Sequence, residues 1–545
     1  MTKKVTNVIV LVALIIVMVV GVVVAVVLSG ANREHTFEEG NFEFVIKGDN
    51  VAIKKFNNVD NVSEVKLPRE VQGYTVTTIG KDAFKGDMYL KTIELDDNIT
   101  SIESGAFENC KALNTVRMKS VVSIGDGAFK GDEMLSYVDM PESLESIGSE
   151  AFMNCTILRE LAITFNDDFT PKSRLSSVGR DAFNGSRLTT MVIPSSMKNI
   201  GEGAFRGASL YKVIFYEGVE IIGNEAFLYY DNGGNSMNVY TFDPQRHDGS
   251  ITPNMSNITS VSTPNEFPTT LRSIGDGAFK KGTSNNSARL NLGTVAFGER
   301  LSSIGKEAFV GATISNISFK NAKTTIGAFA FSDLYSTVYE FVFPSELEVI
   351  EEGVLFSTDM RSGGKVVIPA TVRTLGARAF SGSKTQYTIS FAEGSPLKTR
   401  YKFETGDGYN ALMSADGKIL YSMIMGSSSK SFTIPASVEV IDSYAFTGVG
   451  MDVAGSPSVG ITIPAHVREI RANAFSDSGI TSIDMMHKGD LPISISPKTF
   501  DNITSANRYV VRAYPNSALL AELERTFASV KNVEVNTLSA DSMNY

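Results

Sequence analysis

The chain contains no tryptophan, two cysteines and four histidines. Two cysteines are too few for the disulfide framework that holds small secreted domains together, so the fold must rest on an apolar core. Cys110 and Cys155 occupy the same place in a repeated phrase, three residues after Phe107 and Phe152, and lie two repeats apart. Stacking at about 4.8 Å per strand places them about 10 Å apart, beyond the roughly 7 Å a disulfide tolerates. Both read as small buried apolar residues. His35, His247, His466 and His487 are far apart and include no H-x-x-x-H pair, so no metal site is expected. Positive charge is also scarce: 50 Lys and Arg against 60 Asp and Glu give a formal net charge of −10. Phosphate backbones need a basic face, and this balance argues against a nucleic-acid partner.

Catalytic signatures are missing as well. There is no G-x-S-x-G elbow, and no Cys–His pair offers a nucleophile and base. Asp96-Asp97 and Asp167-Asp168 lack the ligand spacing of a calcium loop. Gly125-Asp126-Gly127-Ala128-Phe129 superficially suggests a phosphate loop, but it lacks the G-x-G-x-x-G spacing and recurs at Gly275 as part of a repeat. The expectation is a protein that is not an enzyme and holds no cofactor.

What is present is a phrase. Leu188 to Ala208 reads LTTMVIPSSMKNIGEGAFRGA, and its tail recurs as IGKDAF, IGDGAF and IGKEAF. The closing aromatic falls at Phe84, Phe107, Phe129, Phe152, Phe183, Phe205, Phe227, Phe279, Phe309, Phe331, Phe356, Phe380, Phe446, Phe475 and Phe500. A period of about 22 residues marks a solenoid, in which one coil cannot bury its apolar face alone but a stack can. The alternating segment before Ile-Pro reads as a strand that its proline ends. Val or Leu and Ile form a second short strand, the glycine after Ile supplies backbone freedom, and Ala-Phe fills the interior.

Val8 to Leu28 is an uninterrupted apolar run preceded by Lys3 and Lys4. Its length suits a bilayer span, and the lysines favour a cytoplasmic N-terminus with the remainder exported. Ser29-Gly30-Ala31 offers a signal-peptide cleavage site as the competing reading, against which the length of the run argues. The expected organisation is a stub and anchor over 1–31, a linker over 32–41 and an N-terminal β cap over 42–78. A solenoid over 79–507 follows, with inserts at 166–174, 243–267 and 392–430, and a C-terminal cap and tail occupy 508–545. In the last insert Asp416-Gly417 between apolar runs predicts a hairpin. In the cap, Leu519, Leu523 and Phe527 share one helix face.

These phrases, with Asp416-Gly417-Lys418-Ile419-Leu420-Tyr421 and the Gly73-Tyr74-Thr75-Val76 lead-in, resemble the BspA-type leucine-rich repeat surface proteins of bacteria. The resemblance spans Phe42 to Val535. It implies a mainly β, right-handed solenoid with a parallel sheet on one face, roles in adhesion and protein binding, and no catalytic residues.

The expected function is therefore a single-pass cell-membrane protein with an extracellular repeat domain that binds a protein or other extracellular macromolecule. The alternative is a passive spacer: about 15 coils at ~4.8 Å extend roughly 70 Å. Tyr211, Tyr216, Tyr229, Tyr230, Tyr240 and Phe242 gather near the 243–267 insert, and exposed aromatic clusters mark contact surfaces. The alternative for these six is ordinary packing within strands.

Overall fold

The computed structural model describes residues 35–229, 237–243, 262–264, 267–282, 290–336, 339–361, 363–382, 387–406, 409–425, 434–449, 459–488, 493–500, 509–515 and 517–539. The apolar run Val8–Leu28, Tyr230 and, within the 243–267 insert, residues 244–261 and 265–266 lie outside these residues. Among them no helix is long and apolar enough to cross a membrane.

Each copy of the phrase forms one coil of a leucine-rich repeat stack of about 18 turns, almost entirely β. Alternation decides the first strand of a coil: in Thr92–Leu95, Ile93 and Leu95 point inward while Glu94 is exposed. Equivalent strands of neighbouring coils pair in parallel, Thr92 to Thr115 and Ile93 to Val116. A second ladder of two-residue strands runs along the other edge, pairing Ile102 with Ile124, Ile124 with Ile147 and Ile147 with Val178. Between the two ladders lies one continuous apolar core from Phe44 to Ile424.

Phenylalanine forms the spine of that core. From Phe84 to Phe331 successive rings lie face to face at 4.9 to 5.5 Å and within 18° of parallel. The backbone fixes this register: Phe129 N–H donates to the Ala151 carbonyl and Phe205 N–H to the Ala226 carbonyl, both at 2.8 Å. The same rule corrects the sequence register in one coil. Phe331 donates to Val354 and Leu355 to Ala379, so Leu355 fills the phenylalanine slot and Phe356 is pushed out to a half-buried position.

The glycine after isoleucine also has a different task from the one its sequence position suggests. Gly201 does not adopt a left-handed φ; instead, a Cβ there would lie 2.7 Å from the Gly179 carbonyl carbon and the Val178 oxygen of the preceding coil. Gly125, Gly148, Gly179 and Gly223 face similar contacts below 3 Å. The column is glycine because coils touch there. The left-handed residue comes two positions later, at Gly127 (φ 59°) and Gly203 (φ 59°), and in other coils it is Glu150 (φ 57°), Asp181 (φ 51°) or Glu225 (φ 51°).

One acid sits inside the core. Asp132 occupies the place that Cys110 and Cys155 hold in the coils on either side and is fully buried. One oxygen accepts the Cys110 N–H at 2.8 Å, and the other has no partner. Burial pushes its carboxyl up to about 9, against the opposing pull of the Cys110 N–H and Lys111; Glu108 adds to the rise. Both cysteines are free and buried, with S–H groups donating to the Phe84 and Phe129 carbonyls at 3.0 and 3.1 Å. Burial, with Asp132 beside them, raises both thiols above their ordinary range.

The N-terminal end is closed by antiparallel strands Phe42–Lys47 and Asn50–Phe56. His35–Glu39, expected as linker, is a further strand paired with Phe42–Ile46, because Phe37 packs on Phe44 at 5.4 Å. At the other end the helix Ala518–Phe527 turns Leu519, Leu523 and Phe527 inward, and Phe527 meets Phe500 at 5.3 Å. The 392–430 insert contributes antiparallel strands Tyr401–Gly406, Tyr409–Ser414 and Ile419–Met425. Its last strand joins the short-strand ladder through Leu420 and Ile441, and Met423 donates to the Ala445 carbonyl as a coil phenylalanine does elsewhere. Among the described residues the interior falls into two cores here: Ile424 belongs to the long core, Leu420 and Met423 to a second core reaching Phe527.

Candidate interaction surface

The outward side of the parallel strands differs between the early and middle coils. In the first sheet it is polar and open. Glu94 and Asp96 meet Lys119 at 3.5 and 2.6 Å, Arg69 reaches Asp97 at 2.5 Å, and Arg117 lies over the Tyr137 ring at 5.5 Å. Glu64, Thr92, Glu94, Asp96 and Asn98 border a cleft of about 460 Å³ there. Such exposed, solvent-screened pairs contribute little to stability, so this face is free to vary without loosening the coils.

In the middle coils the outward side is apolar and covered. Thr190–Ile193 and Lys212–Phe215 turn Val192 and Ile214 outward, and Tyr216 follows. The 166–174 insert folds back over them. Phe165 bridges Pro171, Asn166 N–H donates to the Thr170 carbonyl at 2.8 Å, and Phe169 at φ 64° places its ring, fully buried, against Val192, Ile214 and Tyr216. The Tyr216 hydroxyl donates to the Phe169 carbonyl, and its ring stacks on Phe242 at 4.5 Å. Burial, with Asp168 nearby, raises the Tyr216 hydroxyl well above its ordinary range.

The six aromatic residues singled out in the sequence therefore separate. Tyr216, Tyr240 and Phe242 join Phe169, Val192 and Ile214 in a small cluster distinct from the main core, with Ile163 and Phe165 at its margin. Tyr229 is 4 % exposed and belongs to the main core, pairing with Lys281 of the next coil. Tyr211 is half-buried beneath Lys212, whose Nζ lies 5.8 Å from its ring. Tyr240 and Phe242 keep partly exposed edges. Sequence reasoning missed Phe169: nothing in NDDFTPKSR signals that this loop turns back over the sheet.

The cluster also adjoins the point where the chain returns after the 243–267 insert. Ser262–Pro264 returns antiparallel to Met237–Phe242, pairing Tyr240 with Pro264, Thr241 with Thr263 and Phe242 with Ser262. Both ends of the 243–261 segment are thus fixed at the outer rim of the covered face.

A stack of parallel coils with a filled interior defines a leucine-rich repeat solenoid, a class that presents an extended surface. More particularly, residues 49–170, 165–242, 254–387 and 418–517 match the BspA type leucine rich repeat region in six copies, and the chain belongs to that family. No curated protein sequence matches the chain. Among solved structures, the pneumococcal vaccine antigen PcpA is 15% identical, with 93% of this chain and 99% of that one covered at a TM-score of 0.39. A leucine-rich repeat protein from Bacteroides ovatus is 15% identical over 92% of this chain and 100% of its own, with a TM-score of 0.40. A leucine rich cell surface protein from Faecalibacterium prausnitzii is 19% identical over 66% and 96%, with a TM-score of 0.30.

Proposed function

We propose that this protein is a membrane-anchored extracellular binding protein without catalytic activity, and that its contact surface centres on the 243–261 segment and the aromatic edges beneath it. The observation that carries this reading is the antiparallel return of Ser262–Pro264 onto Met237–Phe242. It holds the residues on either side of a long insertion beside an aromatic cluster, where Tyr240 and Phe242 keep partly exposed edges. Rigid elements that position a variable loop are a recurrent way of building recognition sites, and repeat proteins place such insertions on their binding face. The apolar run Val8–Leu28 with Lys3 and Lys4 before it supports a retained span that leaves the coils outside the cell.

The deciding experiment replaces residues 243–261 by a Gly-Ser turn and compares macromolecules captured from cell-surface and matrix extracts by the parent and deleted chains. Loss of a defined partner with the coils intact by circular dichroism supports the assignment. An identical capture profile rejects it. Protease treatment of intact cells tests the topology separately: repeats that stay uncut until the cells are lysed contradict export.

A further inference from the structure

We propose that the corner formed by Val59, Met88 and Tyr89 rests in the headgroup layer of the membrane that anchors the chain; this inference builds on the anchored reading above. Val59 is 71 % exposed, Met88 57 % and Tyr89 49 %. The three line one shallow hollow of about 390 Å³ together with Lys55, Phe56 and Lys85. Single exposed apolar residues need no explanation, but three side by side on adjoining turns do.

The two turns are held firmly. The Asn58 side chain accepts from the Val62 N–H at 2.8 Å and donates to the Val62 carbonyl at 3.0 Å and the Asp87 carboxylate at 2.9 Å. Asp87 in turn accepts the N–H groups of Tyr89 and Leu90 at 2.8 and 2.9 Å. The apolar side chains are thus displayed on turns whose polar groups are bonded among themselves. Other nearby carboxylates are also engaged, Asp82 and Glu108 by Lys85 at 3.4 and 2.8 Å. The same turn two coils later presents only Met134 as a large exposed apolar side chain, at 51 %.

What selects a bilayer as the occupant is the tether. The apolar run ends at Leu28 and the first strand begins at His35, so residues 29–34 supply at most about 20 Å at ~3.3 Å per residue. From His35 the strand His35–Glu39 leads to Asn41, whose carbonyl accepts the Asn57 N–H at 2.8 Å and whose side chain donates to Asp60 at 3.5 Å. The loop carrying Val59 is therefore one short strand from the tether. So close a linkage keeps the corner at high local concentration beside the lipid, where even weak apolar insertion is populated. Tyr89 and the lysines suit that depth, with apolar bodies toward the acyl chains and polar ends in the headgroups.

The absence of tryptophan makes the test clean. The full chain carrying Met88→Trp is reconstituted into phosphatidylcholine vesicles with and without brominated acyl chains, alongside Val59→Trp and, as a distant control, Tyr335→Trp at a position 55 % exposed. An interfacial apolar face sits about 5–10 Å into the headgroup boundary, so the first two should lose about half their emission to bromine and shift to the blue, while the control stays unquenched. Emission from Met88→Trp and Val59→Trp that matches the control, in chains that float with the vesicles, overturns this inference and leaves the anchor standing. Chains that fail to float overturn the anchored reading, and this inference with it.

Discussion

Replacing Asp132 by Asn should stabilise the protein at neutral pH, by an amount that grows with pH. The carboxyl is fully buried between Cys110 and Cys155, with one oxygen unpartnered, and its folded-state pKa stands at about 9. In the unfolded chain an aspartate ionises near 3.9, so folding at pH 7 requires the acid to be protonated at a cost of about 1.36 kcal/mol per pH unit, about 4 kcal/mol in all. Because the folded pKa is raised, the stability this group contributes is fully present below about pH 4 and is lost as pH rises toward 9. The thiols of Cys110 and Cys155 on either side, both raised by burial, stay neutral across the middle of that window. Asparagine keeps an oxygen for the Cys110 N–H and removes the titration. Guanidinium unfolding of both chains between pH 5 and 8 should give a stability difference that widens by about 1.36 kcal/mol per unit and reaches about 2–4 kcal/mol at pH 7. The subtraction cancels every other titrating group. A difference that does not change with pH, or an Asp132→Asn chain less stable than the parent at pH 7, refutes the reasoning.

Phe205→Ala, which removes a ring stacked at 5.3 and 5.2 Å on its neighbours, should cost about 3–5 kcal/mol; a loss under about 1 kcal/mol contradicts its place in the spine. Gly201→Ala should cost about 1–3 kcal/mol by forcing a Cβ against the preceding coil, and it should do so without changing the circular dichroism of the remaining coils. Glu150→Gly should raise the melting temperature slightly: relief of a left-handed backbone is worth about 1–2 kcal/mol, while the exposed pair with Lys130 is worth under about 1 kcal/mol. A lower melting temperature for that variant would show that the ion pair outweighs the backbone.

The period was legible because every coil solves the same packing problem, and so the same residues recur at Ile124, Ala128 and Phe129 as at Ile200, Ala204 and Phe205. What each residue does was less so. A glycine looks the same whether it is wanted for φ or for space, and only the Gly201–Gly179 contact separates the two. The aromatic at Phe356 drew the register off by one residue, where backbone pairing selects Leu355. The tyrosines near 216 and 240 stood out by composition, but their cover by Phe169 depends on a loop contact made across coils. His35–Glu39 read as linker because most of its residues are polar, and its membership of the sheet rests on backbone pairing with Phe42–Ile46 and on the contact of Phe37 with Phe44. Local patterns reveal the repeat; departures from it are decided by tertiary contacts that no local pattern encodes.

The division of the interior at the Tyr401–Met425 hairpin has a consequence for how the molecule comes apart. Cooperativity in a solenoid passes only between adjacent coils, so it is weakest where their apolar faces are not shared. Ile424 and Met423, neighbours in sequence, belong to different cores. Heated or pulled from its C-terminus, the chain should yield first beyond this seam, releasing the coils after residue 434 as one block. The long phenylalanine column would remain as a template on which that block re-forms. The hairpin thus works as a firebreak, limiting damage at the C-terminal end to the coils beyond it.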